Sequence, residues 1–200
     1  MKFFALALAL SLACVAAGPD IEKSKTAGTT AAPIRLDLYS DFTCPHCKMF
    51  HDTILPKLVE DFINPSKAYL VFHDYVLTGP GHEHSHEAAL YAAASAHLQP
   101  SRYAQVSGAL FAAQSSWAVS GKVWETVSPV LNAAERTKIQ QLVKDPAIAT
   151  EVQNDVNMGN ASRVDRTPTV VITPRGKKST PWSYWTDYAL FKSFMSDQLK

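Results

Sequence analysis

The length, composition and charge of this chain narrow the classes of protein to which it can belong. It has 200 residues, enough for one ordinary domain or one domain with an insertion, and 46% of them are apolar, so a substantial core can be built. The formal net charge is +1 and no long block of like charge is present, which argues against nucleic acid as a partner.

The first 17 residues have the pattern of a secretory signal peptide. Lys2 supplies the positive start, an almost unbroken apolar run covers residues 3–15, and residues 15–17 form a small-residue cleavage site. The run is too short for a comfortable membrane span. We therefore predict a protein of the periplasm or a secreted protein. Residues 11–14 loosely resemble a bacterial lipoprotein site, so lipid anchoring at Cys14 is the alternative.

The mature chain is expected to begin with a leader and then a strand-helix-strand unit. Residues 18–32 are polar and small and predict a flexible leader. An apolar, strand-like run covers Ile34 to Tyr39, and a helix is predicted from about Pro45 to Phe62, kinked at Pro56. Residues 68–72 predict a second, buried strand. Such a unit implies a parallel pair of strands.

The second half of the chain predicts a helical block followed by two more strands and a last helix. Residues from about 83 to 158 are almost entirely helical in character, and Asp145-Pro146 opens a helix that we expect to end at Gly159. Strand character returns at residues 169–172, with a possible edge strand around 180–185. The two sheet-forming ends must pair across the helical block, so we interpret the block as an insertion within one α/β fold.

The stretch Cys44-Pro45-His46-Cys47 lies between the first strand and the first long helix. Cys44 is therefore expected at the N-terminal end of a helix, where backbone N–H groups and the helix dipole lower the pKa of a thiol. Pro45 suits the first helical turn, because its missing N–H is not needed there. His46, if protonated, adds a positive charge between the two sulfurs. These features predict a redox-active pair with Cys44 as an available thiolate.

Two other uses of the cysteine pair are open: a structural disulfide or part of a metal site. Since Cys14 lies in the predicted signal peptide, the mature chain keeps only Cys44 and Cys47, and a stabilising disulfide usually closes a longer loop. Zinc needs two more ligands, which only His82, His84 and His86 could supply. A metal-binding or copper-delivery protein that uses these five residues is thus the rival from another class.

Two motifs resemble those of a known family. Ser-Asp-Phe-Thr-Cys-Pro-His-Cys at residues 40–47, followed by Phe50 and Leu55-Pro56, resembles the DsbA-like branch of the thioredoxin superfamily. Arg-Thr-Pro-Thr-Val at residues 166–170 resembles the second motif of that branch, whose proline has a cis peptide bond. The resemblance covers about Ala32 to Lys200. It implies a thioredoxin fold in two parts, residues 33–77 and 161–200, with residues 78–160 as the inserted helical domain.

The resemblance also implies roles for matched residues. Cys44 corresponds to the nucleophilic cysteine, Cys47 to the resolving cysteine and His46 to the residue that tunes the pair. Pro168 corresponds to the cis-proline, and Thr167 before it has a backbone free to pair with an extended substrate. The implied function is the donation of a disulfide to reduced, unfolded client proteins, with reoxidation by a membrane quinone-linked oxidase. We expect no cofactor, no bound metal and a monomer.

Two positions depart from the pattern of the family. Many relatives carry a buried acid where this chain has Leu38, and Thr167 is more similar to isomerase-type relatives, so a reductase or isomerase is the near alternative. Alternation places Asp37 on the opposite face of the strand from Leu38. We therefore expect Asp37 to be paired with a basic group or to reach water, and we expect water near Cys47 to carry its proton. A bulge that turns Asp37 inward is the competing possibility.

Overall fold

The computed structural model describes residues 21–200. The helices are α1 (Ile21–Ser24), α2 (Pro45–Thr53), α3 (Leu55–Leu58), α4 (Ser85–Ala96), α5 (Arg102–Ala112), α6 (Gln114–Ser120), α7 (Val123–Val127), α8 (Ala133–Leu142), α9 (Pro146–Ala161) and α10 (Tyr188–Gln198). The strands are β1 (Thr26–Ala27), β2 (Ile34–Ser40), β3 (Ala68–Asp74), β4 (Thr169–Pro174) and β5 (Thr180–Trp182). No helix within these residues is both long enough and apolar enough to cross a membrane.

The strands form one mixed sheet in the order β1-β3-β2-β4-β5. β2 and β3 are parallel, as predicted, while the other neighbouring pairs are antiparallel. The β2–β3 register runs without a break from Ile34 opposite Ala68 to Ser40 opposite Asp74. The competing idea of a bulge at Asp37 is therefore wrong, and the α/β class is confirmed.

Alternation along β2 separates an apolar face from a polar one. Ile34, Leu36 and Leu38 are buried in a core cluster with residues of α2 and α10, such as Phe50 and Met195. A second apolar cluster lies among the helices and includes α5 and α6. Since α2 packs on the apolar face of the sheet, its first turn is held at the carboxyl end of β2.

The helix that begins at Pro45 is interrupted near Pro56, as the sequence predicts. α2 ends at Thr53, and α3 begins at Leu55 with Pro56 in its first turn. Proline cannot donate the backbone hydrogen bond that would continue a helix through this point. A π-helical segment, Val59–Ile63, follows, with the Asn64 N–H bound to the Val59 carbonyl at 2.8 Å.

The prediction of a flexible leader over residues 18–32 is wrong for its described part. β1 pairs antiparallel with β3, Thr26 opposite Val71. Lys25, 7% exposed, reaches inward to the carboxylates of Asp74 and Asp155. A buried ammonium needs such partners, so it fixes the segment in place. The predicted signal peptide, residues 1–17, lies outside the described residues.

Gly159 does not end α9, contrary to the prediction. The helix begins after Asp145, whose side chain accepts from the Ala147 N–H, and continues to Ala161. A Cβ atom at Gly159 would stand 2.6 Å from the ring of Tyr75. The glycine therefore permits close packing of the helix on the sheet rather than a helix stop.

Candidate active site

The Cys-Pro-His-Cys segment forms the first turn of α2. Cys44 is the residue that precedes the helix, and Pro45 is its first residue. The backbone N–H groups of Cys47 and Lys48 donate to the Cys44 carbonyl at 3.1 and 3.2 Å. Both cysteines are free thiols. The predicted position of the pair, just after a buried strand and at the start of a helix, is confirmed.

Asp41 holds this turn in shape, and the sequence reasoning missed it. Its carboxylate, 2% exposed, accepts from the backbone N–H groups of Thr43, Cys44 and Leu77 at 2.7, 3.1 and 2.8 Å. The hydroxyl groups of Thr43 and Ser85 also donate to it. The signal was available, because an aspartate after a strand end commonly accepts from the backbone two residues on.

Cys44 lies in surroundings that favour its thiolate. Its pKa is lowered to about 5, chiefly by the hydrogen bond with the Cys47 thiol. Burial opposes this shift, while the side chain of Thr167 and the backbone N–H groups of Cys47 and His46 add to it. The protonated form of Cys44 can donate to the Thr167 carbonyl oxygen, which lies 3.6 Å from its Sγ atom. At neutral pH the pair therefore carries its negative charge on Cys44.

Cys47 lies in the opposite kind of surroundings. Its side chain is fully buried, and burial raises its pKa well above the ordinary value, with the hydrogen bond to Cys44 and the charge of Cys44 acting in the same direction. The Asp41 backbone N–H lies 3.3 Å from its Sγ atom. Cys47 is therefore the protonated member of the reduced pair.

A loop before β4 faces the pair from the other side. The peptide bond between Thr167 and Pro168 is cis, and both residues are buried.

Gln114 of α6, which the sequence reasoning did not single out, donates its side-chain amide to the carbonyl groups of Phe42 and Cys44 at 2.7 and 3.0 Å. These contacts fix the backbone on both sides of Cys44.

His46 is exposed at the rim of the site. Its ring centre lies 6.0 Å from that of Trp185, which in turn packs edge-on against Phe50 at 6.1 Å. Trp185 is only 8% exposed, so it supports the first turn of α2 from the side of α10. The structure thus brings Cys44, Pro45, His46, Cys47, Thr167 and Pro168 together at one end of the sheet.

The histidine loop does not join the cysteines in a metal site. His82 places its Nδ1 atom 2.6 Å from the Thr43 hydroxyl and 3.8 Å from the Asp41 carboxylate. His84 instead lies against Gly121. Across residues 21–200, no group of three or more His, Cys, Asp or Glu side chains is arranged to hold a metal ion. Because His82 contacts Thr43 and Asp41, it helps to hold the active-site turn.

The polar face of β2 leads into a buried ion cluster. Asp37 accepts from Arg35 and from His73 Nε2, the latter at 2.8 Å, so the expectation that it pairs with a basic group is confirmed. Burial alone would raise the pKa of Asp37, but the hydrogen bonds from His73 and Arg35 outweigh it and lower the pKa. His73 Nδ1 lies 2.7 Å from Asp155, so the ring has a carboxylate at each nitrogen.

The cluster continues to Lys25 and Asp74. The Lys25 ammonium contacts both Asp155 and Asp74, the latter at 2.9 Å, and the Tyr103 hydroxyl donates to Asp74 at 2.7 Å. Burial raises the pKa of Asp74, and the negative charge of Asp155 adds to this rise against the opposing charge of Lys25. The three carboxylates and their cations form one connected group, which the sequence reasoning missed.

Comparison with known proteins identifies the family. The sequence model of a family described as thioredoxin matches residues 21–184. Disulfide bond formation protein D of Bacillus subtilis is 24% identical over 190 residues, which cover 93% of this chain and 82% of that protein. A protein-disulfide oxidoreductase of Rickettsia felis, described as putative, is 26% identical over 137 residues, 67% of this chain and 47% of that protein.

Solved structures show the same fold. BdbD from Bacillus subtilis, in its oxidised form, superposes with a TM-score of 0.74 at 23% identity, covering 91% of this chain and 96% of that one. The alpha-DsbA1 of Wolbachia pipientis superposes with a TM-score of 0.70 at 20% identity, covering 88% and 90%. The predicted thioredoxin fold is thus confirmed. The chain belongs to the thioredoxin family, has a fold like that of DsbA proteins, and is a thiol-disulfide oxidoreductase.

Proposed function

We propose that the chain is an oxidase, which donates the Cys44–Cys47 disulfide to reduced, unfolded client proteins. The observation that carries this proposal is the setting of Cys44 at the start of α2, where the Cys47 thiol and backbone N–H groups lower its pKa to about 5. A stable Cys44 thiolate stabilises the reduced form of the pair and makes Cys44 a good leaving group. Both effects make the disulfide form a stronger oxidant.

The proposed reaction consists of two exchanges. A client thiolate attacks Cys44 Sγ, the Cys44–Cys47 bond breaks, and Cys47 leaves as a thiolate that takes up a proton. A second client thiolate then attacks the client sulfur of the mixed disulfide, and Cys44 leaves as a thiolate. The client gains one disulfide and the Cys44–Cys47 pair is reduced. No cofactor or metal takes part in these steps.

We assign the remaining site residues to substrate contact and to tuning. An extended client pairs with the backbone before Pro168 in this proposal, which is supported by the 3.6 Å distance between the Thr167 carbonyl oxygen and Cys44 Sγ. Pro45 starts the helix without an unused N–H group. The exposed His46 adds positive charge when protonated, which further favours the Cys44 thiolate.

The wider setting of the protein is part of the same proposal. Residues 1–17 direct export to the periplasm or the outside, where clients acquire disulfides, and a membrane quinone-linked oxidase restores the Cys44–Cys47 bond. Residues 78–160 form the inserted helical domain between the two thioredoxin parts, residues 33–77 and 161–200. The protein acts as a monomer in this proposal.

The equilibrium with glutathione tests the direction of the reaction. Reference values for the families are about −120 mV for DsbA, −180 mV for protein disulfide isomerase and −270 mV for thioredoxin. We expect a potential more positive than about −180 mV. A value near that of thioredoxin would assign the protein to the reductases, and metal analysis of untagged protein tests the copper-delivery alternative.

The residue before Pro168 favours one alternative, an isomerase. Thr167 is similar to the residue in isomerase-type relatives, and its side chain contributes to lowering the pKa of Cys44. A client with scrambled disulfides separates the two functions. An isomerase restores native pairing at catalytic amounts, whereas the oxidase oxidises reduced client but leaves the scrambled one unchanged.

A further inference from the structure

A cavity of about 130 Å³ lies behind Cys47, between α2 and α5. It is bounded by the ends of β2 and β3, and Leu38 supplies part of its apolar wall. The lining residues that carry polar groups are Ser40, Cys47, His51, His73, Asp74, Tyr103 and Ser107. The volume exceeds the ~30 Å³ share of one liquid water, so there is room for more than one water molecule.

Asp74 and Cys47 both line this cavity. It is paired with Ser40 across the parallel β2–β3 ladder, so the two side chains point to the same face, and the Ser40 side chain hydrogen-bonds Cys47. The Asp74 carboxylate accepts from Tyr103, another lining residue. The Ser107 Oγ atom is buried beside the Tyr103 hydroxyl and makes no well-formed hydrogen bond among the described residues, so it can bind a cavity water.

Asp74 also belongs to a group of charges that can hold one mobile proton. Lys25 and Arg35 are cations, while Asp37, Asp74 and Asp155 are carboxyl groups. Neutrality therefore needs one further proton, which can be carried by His73 or by Asp74. The groups that face Asp74 are Lys25 from the segment before β1, Asp155 from α9 and Tyr103 from α5.

We propose that Asp74 exchanges the proton of Cys47 through water held in this cavity. The proposal rests on the proposed roles of Cys44 and Cys47 in disulfide exchange. When Cys47 leaves as a thiolate, a protonated Asp74 supplies the proton by way of the water and becomes a carboxylate. In the reverse step the carboxylate accepts the Cys47 proton, and the Cys47 thiolate attacks Cys44 Sγ and expels the bound thiolate. Asp74 thus replaces the strand acid that is absent at Leu38.

Stopped-flow reaction of the reduced protein with dithiobis(nitrobenzoate) tests the proposal. Cys44 attacks first and releases one coloured thiolate; Cys47 then attacks the mixed disulfide and releases the second. The first phase depends on Cys44 alone. The Cys47→Ser variant lacks the second phase, so the phase that it retains is the first. If both phases are absent from the wild type, the proposed disulfide exchange fails rather than the role of Asp74.

We expect Asp74→Asn to slow the second phase about tenfold or more and to leave the first within about twofold. A positioned acid or base typically contributes ~10²–10⁴, and the cavity water retains part of this. In the wild type the second phase should rise through a pH inflection above the ordinary aspartate value of about 3.9. That inflection should vanish in Asp74→Asn.

Glu135→Gln is the matched control, because it removes a buried carboxylate, paired with Arg102, that belongs neither to the ion cluster nor to the cavity wall. We expect its second phase to stay within about twofold of the wild type, and the same for His51→Gln, which alters a half-buried titratable group on the cavity wall. An unchanged second phase in Asp74→Asn, or an equal loss in either control, would overturn the proposal. If Asp74→Asn does not fold, Ser107→Leu decides: filling the cavity should slow the second phase alone, and an unchanged rate refutes the relay.

Discussion

The two cysteines lie three residues apart, yet the regions around them stabilise opposite protonation states. In front, at the start of α2, Cys44 meets a thiol, a threonine side chain and backbone N–H groups, and its pKa falls to about 5. Behind it, Cys47 lies fully buried beside the cavity that Leu38 and Asp74 help to line, and its pKa rises well above the ordinary value. The same residue type thus becomes a nucleophile or a proton carrier according to which groups it contacts.

The strongest test of this contrast is the removal of Cys47. Its thiol is the largest cause of the low pKa of Cys44, so Cys47→Ala should raise that pKa from about 5 towards the ordinary value of 9.0. Each unit corresponds to about 1.4 kcal/mol. Thiolate absorbance against pH measures the shift. The matched variant Cys44→Ala should develop no thiolate absorbance below pH 9, and a wild-type transition at or above about 8.5 would contradict the activation of Cys44.

The rear region depends on the ion cluster, and Lys25 is its central cation. Lys25→Met leaves the carboxylates of Asp74 and Asp155 without their ammonium partner, and removal of one member of a buried ion pair costs about 3–5 kcal/mol. We expect that loss in the free energy of unfolding, measured in urea at pH 7. Lys48→Met removes an exposed lysine paired with Asp52 and should cost less than about 1 kcal/mol. Equal losses would show that the cluster has no special role.

The melting temperatures of the reduced and oxidised proteins show how much the low pKa of Cys44 stabilises the reduced fold. A thiol whose pKa is lower in the folded chain stabilises the folded reduced form. This gain is complete above the unfolded pKa of 9.0, decreases as the pH falls below it, and is lost as the pH falls through the folded value of about 5. At pH 7 the gain is about 3 kcal/mol. Reduced protein should therefore melt higher than oxidised protein at pH 7, with a difference that shrinks towards pH 5. An oxidised form that melts higher at pH 7 would indicate a reductase or a structural disulfide.

The smallest expected effect concerns the turn that separates the two regions. Asp41→Asn keeps one acceptor oxygen but turns an amide donor towards groups that themselves donate, among them the N–H of Leu77. We expect a loss of about 1–3 kcal/mol in the free energy of unfolding. Asp52→Asn, on the exposed side of α2, should stay within about 0.5 kcal/mol. A neutral Asp41→Asn would mean that other contacts suffice to hold the turn.

The parts of the site that the sequence predicts are those fixed by local rules. The two-residue period of a strand places Asp37 opposite Leu38, and the cysteine motif after a strand places Cys44 at a helix start. Asp41 was also within reach of a local rule, because it binds the N–H groups of residues two and three positions on. What the motif cannot give is the environment of each thiol, since burial depends on packing against α5 and the loop before β4.

The missed features are pairs of residues far apart in the chain. Lys25 meets Asp74 across 49 positions and Asp155 across 130, and no spacing rule links such residues. A short polar segment around Lys25 therefore resembles a leader until its partners are known. Gly159 was misread for the same reason, because the ring of Tyr75 explains the glycine and the helix pattern does not.

The short outer strands limit how the sheet can aggregate. β1 has two residues and β5 has three, and they pair with two residues of the seven-residue β3 and three of the six-residue β4. Long, uncovered edge strands offer their main-chain groups to any extended polypeptide. The proposed clients of this enzyme are unfolded chains, and short edge strands bind such chains only weakly. A client would therefore be held at the Cys44 site and released after exchange.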